Sequence, residues 1–148
     1  MRAMADGQTY LIILLILSIW MSFALPISAV LYAPYTYFGA VIIGFGLAVA
    51  FWGRSLFVKG KTTLSPYELP TSLVTDGPFR ISRNPMYLGM AAILLGAAVM
   101  LGTLVAFASP VLFVMIIGAS FIPNEEQKLE KIFGERYRKY KKKVRRWI

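Results

Sequence analysis

Two long stretches of the chain carry no charged side chain, and this constrains the fold more than any other feature of the sequence. Gly7–Gly53 covers 47 residues and Asn84–Asn124 another 41 without one Asp, Glu, Lys or Arg. A membrane-crossing helix needs roughly 20 consecutive apolar residues, so each stretch holds two. The first is divided at Ala33-Pro34, because proline has no N–H to donate and turns the residue before it away from helix. The second is divided at Leu101-Gly102-Thr103, a weaker signal because membrane helices tolerate glycine. The sequence therefore predicts an all-α integral membrane protein, a single membrane domain over 1–148. Its four transmembrane helices are expected at about 10–32, 35–58, 86–101 and 104–122, paired as two hairpins.

The charges give an independent count of the spans. One basic and one acidic residue precede the first span, five basic and two acidic lie between Arg54 and Arg83, and ten basic and four acidic follow from Glu125. The connections near Pro34 and Gly102 have none. Four spans put every Lys and Arg on one side, which the positive-inside rule makes the cytoplasm, with both termini there. An apolar first segment of this length is also too long for a signal peptide.

With no Cys and no His in 148 residues, thiolate nucleophiles, imidazole bases and Cys/His metal sites are excluded, and no metal site is expected. Gly39, Gly44, Gly46, Gly89 and Gly96 read as small residues that let helices approach. Pro26 and Pro110 are candidate kinks, and Met90, Met100 and Met115 candidate packing residues. Trp20, Trp52 and Trp147 fit either interfacial anchoring or packing.

The connection over 59–85 is long and contains Pro66, Pro70, Pro78 and Pro85. Its apolar residues Leu64, Tyr67, Leu69, Leu73, Val74, Phe79 and Ile81 predict that it folds back on the helix ends as a lid or wall. In the polar tail over 123–148, Asn124 reads as a helix cap with Gln127 three residues on. Leu129, Ile132, Phe133, Tyr137 and Tyr140 then follow at helical spacing, predicting a C-terminal amphipathic helix. The basic cluster Lys141-Lys142-Lys143 and Arg145-Arg146 suits anionic lipid, at about 1 kcal/mol per residue near the surface, rather than nucleic acid.

Leu73-Val74-Thr75-Asp76-Gly77-Pro78-Phe79-Arg80-Ile81-Ser82-Arg83-Asn84-Pro85-Met86-Tyr87-Leu88-Gly89 resembles the signature of the isoprenylcysteine carboxyl methyltransferase and phospholipid methyltransferase superfamily. That signature runs Leu-Val-Thr, a spacer, Gly-x-Tyr/Phe and Arg-His/Asn-Pro-x-Tyr-x-Gly. Paired glutamates and Phe-Gly-Glu-x-Tyr-x-x-Tyr follow, here Glu125-Glu126 and Phe133-Gly134-Glu135-Arg136-Tyr137-Arg138-Lys139-Tyr140. The likeness covers about Thr63 to Trp147, while the first two spans match in character only.

The resemblance implies a methyltransferase that binds S-adenosylmethionine, with S-adenosylhomocysteine as product, at the cytoplasmic face. Cofactor contacts would fall on Ser72, Leu73, Val74, Phe79, Asn84, Pro85, Met86, Tyr87 and Glu125, with the ammonium on Glu125 and the carboxylate on Asn84, Tyr87 and backbone N–H groups. Glu126 or Tyr137 would take a proton from an amine or phenol acceptor, whereas a carboxylate acceptor needs no base. The acceptor would be a lipid-like molecule: a prenylcysteine-like carboxylate, a phospholipid amine or another small lipid. The prenylcysteine enzymes carry a basic residue just before the glutamates, where this chain has Phe121, which argues against a prenylated-protein carboxylate. Membrane sterol reductases, which use NADPH, resemble the same C-terminal region, and a non-enzymatic four-helix accessory subunit is a further reading. The sequence sets no oligomeric state.

Overall fold

The computed structural model describes residues 2–25, 29–60 and 70–148, and side chains from residue 7 onward. Pro26, Leu64, Pro66, Tyr67 and Leu69, for which a kink and a folded-back wall are expected, lie outside the described residues. The helices are α1 (Arg2–Ala24), α2 (Phe38–Lys59), α3 (Pro85–Leu101), α4 (Ala108–Ile116), α5 (Ile122–Phe133) and α6 (Glu135–Lys143). The described residues contain no strand, only isolated bridges between Ala29 and Thr103 and between Ser82 and Arg145.

Three helical stretches are long and apolar enough to cross a membrane: Gly7–Ala24, Tyr35–Lys59 and Leu104–Phe133. The fourth, Pro85–Leu101, is shorter at 17 residues. The first span ends earlier than the expected residue 32. Ala29 bridges to Thr103, and the N–H groups of Val30 and Leu31 donate to the Gly102 carbonyl at 2.8 and 3.1 Å. That carbonyl is accessible because Gly102 closes α3 in the left-handed region, at φ +66°. The 29–31 segment therefore meets the turn between α3 and α4 instead of prolonging α1.

In space the helices pair differently from two sequential hairpins. The most extensive contact joins α2 to α3, while α1 packs on α3 and α4 and makes no extensive contact with α2. Antiparallel glycines set the α2–α3 seam. A methyl group added at Gly46 would stand 2.6 Å from the Gly89 carbonyl oxygen, and one at Gly96 2.6 Å from that of Gly39. Gly39 and Gly46 on α2, like Gly89 and Gly96 on α3, stand seven residues apart, which keeps them on one face. Gly44 is a correction: nothing approaches its Cβ position, so it takes no part in the seam.

The core between α1, α3 and α4 holds Leu14, Tyr87, Met90, Leu94, Phe113, Ile117 and Ile122. Outward faces are apolar as well, with Ile16, Phe23, Phe45, Phe51 and Trp52 exposed, as a helix bundle solvated by hydrocarbon requires. Trp147 packs against the core over Gly118, whereas Trp20 and Trp52 are exposed. Met90 is buried and the part-exposed Met100 packs over Gly39 in the α2–α3 seam, while Met115 is exposed. Pro110 lies in the first turn of α4, where its missing N–H costs little.

The expected cap at Asn124 is also corrected. A wider π turn, Ile117–Phe121, joins α4 to α5 without a break, and the Asn124 amide donates to the Ser120 carbonyl at 2.7 Å. Pro123 explains the π turn, because its ring would crowd the carbonyl four residues back in a regular helix. The uncharged part of this helix ends at Asn124, so Glu125 onward belongs to its polar extension. The expected amphipathic helix is two helices, broken at Gly134, where φ +51° and ψ −122° suit glycine.

Candidate active site at the charged end of the bundle

The two sequence motifs meet where α3 begins. Pro85 occupies the first position of α3, where its missing N–H costs no hydrogen bond, and its ring helps fix the direction in which the helix leaves the loop. The loop ahead of it is tied to the chain's last residues. Arg83 N–H donates to Arg145 O at 3.0 Å, and the Ser82 hydroxyl and Asn84 amide donate to Arg146 O at 3.3 and 3.1 Å. Ser82 Oγ accepts from Asn84 N–H at 3.1 Å, and the Tyr140 hydroxyl donates to Phe79 O at 2.7 Å. Nearby, the Phe57 ring of α2 meets Phe79 edge-on at 5.4 Å between centroids.

These ties close a cavity between the loop, α3, α5 and α6. Ser72, Leu73, Val74 and Phe79 form the loop side, and Asn84, Pro85, Met86 and Tyr87 the α3 side. Glu125, Glu126 and Tyr137 complete the opposite wall. All the catalytic and cofactor-binding residues that the resemblance implied thus border one space, most of it apolar. The expected wall forms over 70–80, although Ile81 points outward and is exposed.

Adjacent residues on a helix diverge by about 100°, so the two glutamates serve different neighbours. Glu125 Oε1 accepts from the Tyr87 hydroxyl at 2.8 Å. Burial pushes its carboxyl above the ordinary value of 4.5, while the Tyr87 bond and the Lys128 charge pull it partly back. Glu126 is buried and faces the C-terminal residues. Arg146 grips it with two bonds, Nε to Oε1 at 3.0 Å and Nη2 to Oε2 at 2.9 Å. Arg83 Nη1 stands 3.0 Å from Oε1, and Lys141 Nζ 3.8 Å from Oε2. The Glu126 hydrogen bond also raises the Arg146 guanidinium above its ordinary value.

This geometry bears on the proton-accepting roles. Both oxygens of Glu126 are engaged by cations, leaving it an ionic anchor. The Tyr137 phenol is held protonated, raised first by burial and next by the Glu126 charge, with Arg83 opposing. Burial likewise holds Tyr140 protonated, as its bond to Phe79 O requires. Asn84 spends its amide on Arg146 O and Tyr87 its hydroxyl on Glu125. Among the described residues no cluster of acidic side chains suits a metal ion.

A family model described as "Phospholipid methyltransferase" matches residues 34–136. The chain belongs to the phospholipid methyltransferase family. This family member is 39% identical over 75 residues to the protein-S-isoprenylcysteine O-methyltransferase of Schizosaccharomyces pombe. That alignment covers 49% of this chain and 30% of the yeast enzyme, so the likeness spans under a third of that relative. An uncharacterized protein of Haemophilus influenzae is 43% identical over 63 residues, 43% of this chain and the whole of the relative. No solved structure matches. The family match makes this a membrane methyltransferase.

Several contributors to the candidate site escape sequence reasoning. Arg83 reads from sequence as a topology-setting charge, yet its side chain is only 9% exposed and borders the cavity. Its place inside the signature was the available signal. Arg146 is one of many basic residues in the tail, and no spacing distinguishes it. Gly53, also missed, stands seven residues beyond Gly46; a methyl group there would be 3.0 Å from Met86 Cγ.

Proposed function

We propose that this chain transfers a methyl group from S-adenosylmethionine to a lipophilic or amphiphilic acceptor at the cytoplasmic face of its membrane. The observation that carries the reading is Glu125: a carboxyl desolvated enough to be raised, bonded to Tyr87 and bordering a mostly apolar cavity. Such a carboxylate is suited to a cationic ligand group brought in with an apolar ring system, and the cofactor carries an ammonium and an adenine. Phe79, Leu73, Val74 and Met86 supply the apolar surface for the ring. Glu125 would hold the ammonium, and Ser72, whose hydroxyl donates to Gly60 O at 3.2 Å, lines the loop side.

The bound cofactor supplies a methyl on a cationic sulfur whose departing thioether keeps the bonding electrons. The protein's part is alignment, an effect worth up to ~7–11 kcal/mol when reacting atoms are well oriented. With Glu126 paired and Tyr137 protonated, the acceptor arrives with its lone pair available, as a carboxylate or an unprotonated amine. Apolar outer faces on α1 and α2 suit an acceptor whose tail stays in lipid. The one-sided distribution of Lys and Arg supports a cytoplasmic site and cytoplasmic termini.

The test is thermal stability of the detergent-purified chain with S-adenosylhomocysteine or NADPH. A ligand of the folded state at a hundred times its Kd stabilises by about 2.7 kcal/mol. S-adenosylhomocysteine is expected to raise Tm, and Glu125→Ala to abolish the rise while the protein stays folded. No response from folded wild-type protein, or a response to NADPH alone, overturns the reading.

A further inference from the structure

Resting on the cofactor reading above, we propose that Arg83 is the partner of the cofactor's carboxylate. The expected partners are occupied: the Asn84 amide donates to Arg146 O, and the Tyr87 hydroxyl to Glu125. Arg83 is less fully engaged, with its side-chain hydrogen bond going to Tyr137. Its side chain is 9% exposed, it borders the cavity, and its buried Nε and Nη1 make no hydrogen bond. The contact from Nη1 to Glu126 Oε1, at 3.0 Å, is an ion pair whose geometry falls short of one.

Charge points the same way. Arg83 and Arg146 share the single carboxylate of Glu126, and Lys141, also near Glu126, has Glu130 at 3.6 Å. One guanidinium charge in the cavity wall is therefore left without its own anion, and buried guanidinium donors without acceptors are costly. A carboxylate satisfies both deficits, with a planar fork facing a planar acceptor. Glu125 and Arg83 then form two poles of one cavity, matched to the ammonium and carboxylate of an α-amino acid. Lys128 also borders the cavity, and its charge acts on Glu125.

Calorimetric titration of the full chain in detergent, with S-adenosylhomocysteine and its decarboxylated analogue, tests the pairing without any turnover. Wild-type protein is expected to prefer the carboxylate-bearing ligand by roughly 10- to 100-fold, the range for a hydrogen bond to a charged group. In Arg83→Gln that preference is expected to vanish, both ligands binding about equally. A purely structural Arg83 would weaken both ligands alike and leave the preference intact, which overturns the proposal. So does a preference that survives in Arg83→Gln but disappears in Lys128→Gln. Should Arg83→Gln not fold, Arg83→Lys keeps a cation beside Glu126: a reduced preference supports the pairing and an unchanged one overturns it. Failure of wild-type protein to bind either ligand is a separate result, refuting the cofactor reading and this pairing with it.

Discussion

Along the α2–α3 seam, glycine pairs bring two backbones together with no polar side chain, whereas at the charged end Glu126 gathers Arg83 from the loop before α3 and Lys141 and Arg146 from the C-terminal segment. Between membrane helices there is little hydrophobic driving force, since lipid is as apolar as leucine, so close van der Waals contact has to hold them. Outside the apolar layer the chain uses charge to fix a loop, and direction matters more than proximity. The seam sets where α3 stands, and the ionic anchor sets how its first turn and the preceding loop face the cavity.

The largest expected effect falls on the anchor. Glu126→Ala leaves the buried Arg83 guanidinium without its carboxylate and should cost about 3 kcal/mol, the low end of the usual loss for a buried pair, since Arg146 and Lys141 are part-exposed. Chemical denaturation in mixed micelles measures it, and a loss below ~1 kcal/mol would mean that the pairs are dispensable, as exposed ones are. The seam comes next. Gly46→Leu should destabilise by ~1–3 kcal/mol through overpacking, while Gly44→Leu on the same helix should be nearly neutral. Equal effects at the two positions would break the assignment of the seam.

A smaller effect separates Glu125 from its neighbour. Because its folded-state pKa is raised, its neutral form favours folding, and this contribution is lost as pH rises through the raised value. A ligand ammonium requires the ionised form, so affinity for S-adenosylhomocysteine should climb with pH above 4.5, by at most about tenfold per unit, and then level. Glu125→Gln should flatten that profile; a slope that persists places the titration on another group. Smallest is Tyr140→Phe, which removes the bond to Phe79 O and should cost about 1 kcal/mol in thermal stability. No change would show that the C-terminal residues hold the loop without it.

Much of this was legible before any coordinates. Uncharged runs of 47 and 41 residues leave few alternatives to membrane helices, because an unpaired charge or backbone group in hydrocarbon is expensive. Gly102 marked the end of α3, since a left-handed residue there favours glycine. The site residues that the resemblance implied, from Ser72 to Tyr137, all border one cavity, because a signature records chemistry that converges in space. What the tertiary structure decided is which partner each residue meets. Hydropathy is a one-dimensional quantity, so it placed helices but did not pair α2 with α3, separate Gly44 from Gly46 or carry the helix through Pro123 on a π turn. Nor did a run of basic residues reveal that Arg146 turns inward to Glu126, or adjacent glutamates that one faces a cavity and the other an ionic anchor. Those outcomes depend on the angle between neighbouring residues on a helix and on chain segments that meet only after folding.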